Sequence, residues 1–223
     1  MEPPIGAVHP VGRLRKPKRL QQYLCLPVVT LASSSHAHYD PAMRKLLLLR
    51  HAKTERTNLA GDHARKLVVR GREDAVHMGA FLQRERLAPQ QAFVSDAART
   101  RETFAQLSSS LDRQPDVQFE GTLYLAAAHQ ILDVIRTAPE DCDALLVIGH
   151  NPGIHQLAYE LGQRGPHKLV TALAAKFPTC ALAVIDCDIS SWNKLQASNC
   201  HLTRYMTAKA LRVHEVADFD DDC

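Results

Sequence analysis

"RKLLLLRHAKTE", residues 44–55, sets four leucines in a row and then packs an arginine, a histidine and a lysine into four positions. A run without polar alternation fits a strand covered on both faces, so residues 45–50 read as a central strand of a parallel sheet. Leucine alone would also suit a helix. The rest of the chain decides between the two.

From Arg44 onward, short apolar runs alternate with amphipathic segments, the pattern of βα units around a mainly parallel sheet. Residues 91–95 ("QAFVS"), 117–120 ("VQFE") and 144–148 ("ALLVI") read as further strands. Residues 181–186 and 201–207 read as closing edge strands joined through Trp192, the only tryptophan. Ala75, Met78, Gly79 and Leu82 form one helical stripe, Ala128, Ile131, Leu132 and Ile135 a second, and Ile154, Leu157, Ala158 and Leu161 a third. Residues 97–110 read as a helix running into a serine-rich loop, and the stretch between Pro166 and Pro178 specifies no element. The expected architecture is a single α/β domain, 43–214, with a mainly parallel central sheet and helices on both faces.

Composition narrows the classes. The apolar fraction of 45% suits an ordinary globular core. Residues 1–42 hold five Lys/Arg against two Asp/Glu, which leaves 22 of each sign in residues 43–223. A neutral domain argues against a nucleic-acid surface, and no segment reaches the roughly 18 apolar residues of a membrane span. The six cysteines show no CxxC pairing and the histidines no HExxH, so no zinc site or disulfide framework is signalled. A reducing cytoplasm is the simpler expectation.

Residues 1–42 carry prolines, a basic cluster and no periodicity, and read as an extension without fixed structure. "RLRKPKR" followed by "YLCLPVVTLASSSHA" has the outline of a signal peptide, but the basic part starts late and Pro27 breaks the apolar part. Residues 215–223 read as a solvated acidic tail.

The two fully apolar strands each end in a histidine, as Arg50-His51 and Gly149-His150. Ligands of open α/β sheets bind beyond the carboxyl ends of strands, so the two histidines can lie together. A third strand end supplies "SDAARTR" (95–101), placing Arg99 in the first turn of the next helix. Two arginines and two histidines at one sheet edge form a donor cluster suited to a phosphoryl group, since the guanidinium fork matches phosphate oxygens and stays charged. A neutral imidazole can serve as nucleophile to it. Taken singly, a histidine after a strand is more often a structural loop residue, and a strand-end arginine a solvated one.

The blocks "LLLLRHAKTE", "DHARKLVVRGRE", "FVSDAARTRETF", "LLVIGHNPGIHQLAYEL" and "KFPTCALAVID" resemble, in order from about Met43 to Met206, those of the SixA-type phosphohistidine phosphatases. These belong to the histidine phosphatase superfamily, with a phosphoglycerate-mutase-like fold. The resemblance implies that His51 becomes phosphorylated, that Arg50 and Arg99 clamp the phosphoryl oxygens and that His150 donates to one of them. Arg65 matches a further basic position of the subgroup. It implies no metal and no cofactor. Glu120, in "FEGTLY", lies near the place of the superfamily's general acid, with an exposed strand-end carboxylate as its alternative reading. Asp96 departs from the pattern and would repel substrate unless paired with Arg99 or Arg101.

The stretch between Arg99 and Gly149 is consumed by helices and a short strand, leaving no cap insertion. An open site suits a bulky carrier, so the expected substrate is a phosphorylated protein of histidine phosphotransfer type, acted on by a monomer. Two other readings stay open: a phosphatase of small phosphate esters, and a phosphate-binding module without catalysis.

Overall fold

The computed structural model describes residues 43–213, so the expectations for residues 1–42 and for the acidic tail lie outside the described residues. Its strands are β1 (Met43–Arg50), β2 (Gln91–Ser95), β3 (Asp116–Glu120), β4 (Ala144–Gly149), β5 (Leu182–Asp188) and β6 (Cys200–Met206). Its helices are α1 (Val69–Arg84), α2 (Ala98–Ser108), α3 (Ala128–Ile135), α4 (Gly153–Leu161) and α5 (His167–Ala175).

The leucine run is a strand, and it is buried on both sides. Successive side chains of a strand face opposite ways. Leu46 and Leu48 enter a core with Leu145, Val147, Ile131 and Ile154, while Leu47 and Leu49 enter another with Leu146, Ile148, Met78 and Leu107. Thus α3 and α4 cover one face of the sheet and α1 and α2 the other. Among the described residues no helix is long and apolar enough to cross a membrane.

The sheet runs β3-β2-β4-β1-β5-β6, with β3, β2, β4 and β1 parallel and β5 antiparallel to both its neighbours. Two sequence expectations need correction. β5 is not an edge strand, because it sits between β1 and β6; its fully buried residues Leu182 to Val184 follow from that. Between Pro166 and Pro178 the chain forms α5, which buries only Leu173 and so leaves almost no apolar periodicity to detect.

Two glycines hold the loops around the carboxyl end of β1. A Cβ on Gly71, in the first turn of α1, would stand 2.1 Å from the Lys53 carbonyl oxygen, and one on Gly153, opening α4, 1.8 Å from that of Ala126. Both contacts are with backbone, which cannot swing aside. Gly71→Ala should therefore destabilise the fold by about 3 kcal/mol, lowering Tm by roughly 6–12 °C in thermal unfolding followed by circular dichroism.

Candidate active site

β1 and β4 pair in parallel with Arg50 opposite Gly149, so the next residue of each strand, His51 and His150, emerges on the same edge of the sheet. Their ring centroids are 5.3 Å apart. His51 Nδ1 lies 2.8 Å from the Ala52 carbonyl oxygen, which can only accept; Nδ1 therefore carries the proton and Nε2 the free lone pair. Burial pushes the His51 imidazole down to about 4, and the charges of Arg99, Arg50 and Arg65 reinforce it against the opposing pull of the Ala52 carbonyl. At neutral pH His51 is an uncharged base with one open nitrogen.

His150 is built from β2. Its Nε2 lies 2.8 Å from the Ser95 hydroxyl, while its Nδ1 is buried without a protein partner. A hydroxyl that donates to Nε2 places the proton on Nδ1, making that atom a donor awaiting an acceptor. Burial, then the neighbouring His51 and Arg99, push the His150 imidazole down to about 3. Thr103 ties the same corner together by accepting from the Ala52 N–H (3.0 Å) and donating to the Arg99 carbonyl (2.6 Å).

The arginines converge on the cavity these histidines line, a space of about 710 Å³ that also takes in Lys53, Glu55, Asp62 and Asn151. Arg50 donates through Nη1 to the Phe177 carbonyl at 2.9 Å, and Arg99, only 2% exposed, through Nη1 to the Asp62 carbonyl at 2.7 Å. In both, Nε is buried and unpartnered. Arg65 also lines the cavity, held by Thr54 Oγ1 (2.7 Å) and the Glu55 carbonyl (2.9 Å from Nε). Arg50, His51, Arg65, Arg99 and His150 are thus brought together.

Sequence reasoning missed the carboxylate among them. Asp62 accepts from Arg65 Nη1 (2.8 Å), Arg99 Nη2 (3.0 Å) and the Tyr124 hydroxyl (2.7 Å). Those donors, Arg65 first, hold its carboxyl well below the usual carboxylate range. Its three-residue spacing from Arg65 in "DHARKL" was the available signal. Tyr124 and Ser95 had none, because their contacts exist only once β2, β4 and the loop after β3 are side by side.

One expectation fails on geometry, and one condition set by the sequence is not met. Glu120 is not brought to the cavity: β3 is the edge strand beyond β2, and the Glu120 side chain accepts from Gln118 beside a separate surface depression shared with Thr122 and Gln130. Asp96 pairs with neither Arg99 nor Arg101 through its carboxylate. His63 Nε2 takes that group at 2.8 Å, while Arg101 reaches only the Asp96 main-chain oxygen. Among the described residues no group of three or more His, Cys, Asp or Glu is arranged to hold a metal ion.

Residues 46–124 match the family profile of the histidine phosphatase superfamily, branch 1. An uncharacterised protein of Mycobacterium tuberculosis is 30% identical over 139 residues, spanning 61% of this chain and 85% of that one. An uncharacterised chloroplastic protein of Arabidopsis thaliana is 28% identical over 161 residues, 68% of this chain and 70% of its own. Among solved structures, a protein provisionally named phosphohistidine phosphatase SixA from Nakamurella multipartitia superposes with TM-score 0.66 at 26% identity, covering 74% of this chain and 96% of that one. The protein histidine phosphatase SixA complexed with tungstate shares the fold, at TM-score 0.60 and 20% identity over 75% of this chain and 99% of that one.

The neutral state of both histidines is open to direct measurement. Ring resonances in NMR, assigned through His51→Ala, should titrate near 4 for His51 and near 3 for His150 instead of near 6.5. Between those values and 6.5 the unfolded chain binds protons that the folded chain refuses, so stability should fall as pH is lowered through that window.

Proposed function

Because the chain belongs to the histidine phosphatase superfamily, we propose that it acts as a phosphatase in which His51 carries the phosphoryl group from substrate to water, and that the substrate is phosphohistidine on a protein. The observation that carries this reading is the hydrogen bond from His51 Nδ1 to the Ala52 carbonyl, which turns a neutral, nucleophilic Nε2 toward the cavity.

The Nε2 lone pair attacks phosphorus in line; a P–N bond to His51 forms as the P–N bond to the substrate imidazole breaks. The phosphorylated His51 ring holds its positive charge against the Ala52 carbonyl. Water then attacks phosphorus, the P–N bond returns its electron pair to Nε2, and the water's proton leaves with phosphate or solvent. The guanidinium groups of Arg50 and Arg99 and the His150 ring, all lining the cavity, supply hydrogen bonds that strengthen as charge spreads over the phosphoryl oxygens.

The missing acid favours a phosphoramidate. Glu55 and Asp62, the carboxylates lining the cavity, are both held below their ordinary range, Glu55 chiefly by Asn58 and the Lys66 N–H, and Asp62 chiefly by Arg65. Neither holds a proton at neutral pH for an alkoxide leaving group. A departing imidazole needs none at the leaving nitrogen once its other nitrogen is protonated by solvent, and one P–N bond is exchanged for another. The likeness to the Nakamurella protein supports the same substrate class, and a histidine phosphotransfer protein is the natural carrier for an open site.

In EDTA, the wild type should release phosphate from a histidine-phosphorylated carrier protein, with acid-labile label trapped on His51 after rapid quenching. His51→Ala should lose at least about a thousandfold in turnover, and Ser95→Ala about tenfold, since it frees the His150 tautomer. Persistent release by His51→Ala would sink the mechanism. Release from p-nitrophenyl phosphate alone would point to small esters, and no release from either substrate to a binding module.

A further inference from the structure

Next to the active-site cavity lies a second, smaller one of about 190 Å³ whose charge is almost entirely positive. Lys53, Arg70, Lys176, Lys209 and Arg212 line it, against one carboxylate, Asp74. Asp74 is buried and already paired with Arg212. The other four cations are exposed, and among the described residues none of them makes an ion pair or a side-chain hydrogen bond. Residues 43–213 hold 22 Lys/Arg and 17 Asp/Glu, so this one place gathers four charges that nothing in the fold balances, against a total excess of five.

The two cavities are neighbours, with Lys53 and Thr179 lining both. The Lys53 main chain is fixed there by the Val68 N–H at 3.1 Å and by the close approach of Gly71. Helix α1 starts at this junction with no acidic residue in its first turn, adding the positive end of its dipole. The carboxylates nearest on the active-site side are spoken for: Glu55 by Asn58 and the Lys66 N–H, Asp62 by Arg65, Arg99 and Tyr124. Unbalanced, exposed cations beside a phosphoryl pocket attract a second anion on the same molecule.

We infer that the pocket of Lys53, Arg70, Lys176 and Lys209 receives carboxylates that flank the phosphorylated residue of a polypeptide substrate, so that the protein selects phosphohistidine in an acidic surrounding. This rests on the proposed protein substrate. It makes the four cations specificity-determining residues, acting mainly through KM, with an effect that salt weakens.

The test uses the full-length protein and two peptides carrying a single phosphohistidine, one flanked by Asp and Glu, the other by Asn and Gln at the same positions. At low ionic strength the wild type should favour the acidic peptide about tenfold in kcat/KM, the joint effect of several individually weak exposed pairs, and added salt should shrink that ratio. In Arg70→Gln/Lys176→Gln/Lys209→Gln the ratio should fall to within about twofold. Equal cleavage of both peptides by the wild type, or a ratio untouched in the variant, overturns the inference while leaving the protein-phosphatase reading in place. Cleavage of p-nitrophenyl phosphate with neither peptide touched overturns both. A preference that emerges only after Asp and Glu residues of 215–222 are neutralised overturns it too, by giving the pocket to the chain's own acidic stretch.

Discussion

The parallel pairing of β1 with β4, with Arg50 level with Gly149, is the constraint on which the rest of the site depends. Parallel neighbours bring the same end of each strand to the same edge of the sheet, so two residues a hundred positions apart become side-by-side rings. An antiparallel β4 would have sent His150 to the far edge. β2 joins in the same sense on the other side of β4, with Val94 opposite Ile148, and this carries Ser95 to within hydrogen-bonding reach of His150. The leucines and valines of these strands, buried on both faces, make the arrangement stiff.

The electrostatics of the site are self-consistent. Burial first, and then the cations that attract a phosphoryl group, keep His51 and His150 from taking up protons, so the proposed nucleophile and its proposed clamp support each other. Asp62 provides the counter-charge. By holding Arg65 and Arg99 with one carboxylate, it lets a buried guanidinium keep its direction without substrate, at the cost of neutralising part of the charge that substrate would feel.

What could be read from the sequence was whatever a single strand or helix determines by itself. "KLLLLR" and "ALLVIG" declare themselves because a doubly covered strand tolerates no polar residue, and Arg50, His51, His150 and Arg99 follow as the first residues at strand ends or in the next helix. Glu120 was misplaced because its position depends on which strand β3 pairs with, and that pairing puts it on the outer edge. Ser95 and Tyr124 stayed invisible for a similar reason, since each gains its meaning from a partner far away in the chain, and Asp62 showed only its spacing from Arg65, not its contacts with Arg99 and Tyr124. Asp96 was legible as an anomaly, but its partner His63 lies in a loop with no pattern of its own.

His51 owes its tautomer to the oxygen of the peptide bond that follows Ala52's own α-carbon, not to a side chain. Where a carboxylate orients a catalytic imidazole, a single codon change can erase the orienting group. Here none can, since every residue that might replace Ala52 still brings a carbonyl. The orientation of the ring is therefore shielded from point mutation, and drift at position 52 is limited by the space around a fully buried methyl group. Inherited variation that silences the protein should gather at the rings and guanidinium groups themselves and at the glycines that hold their loops.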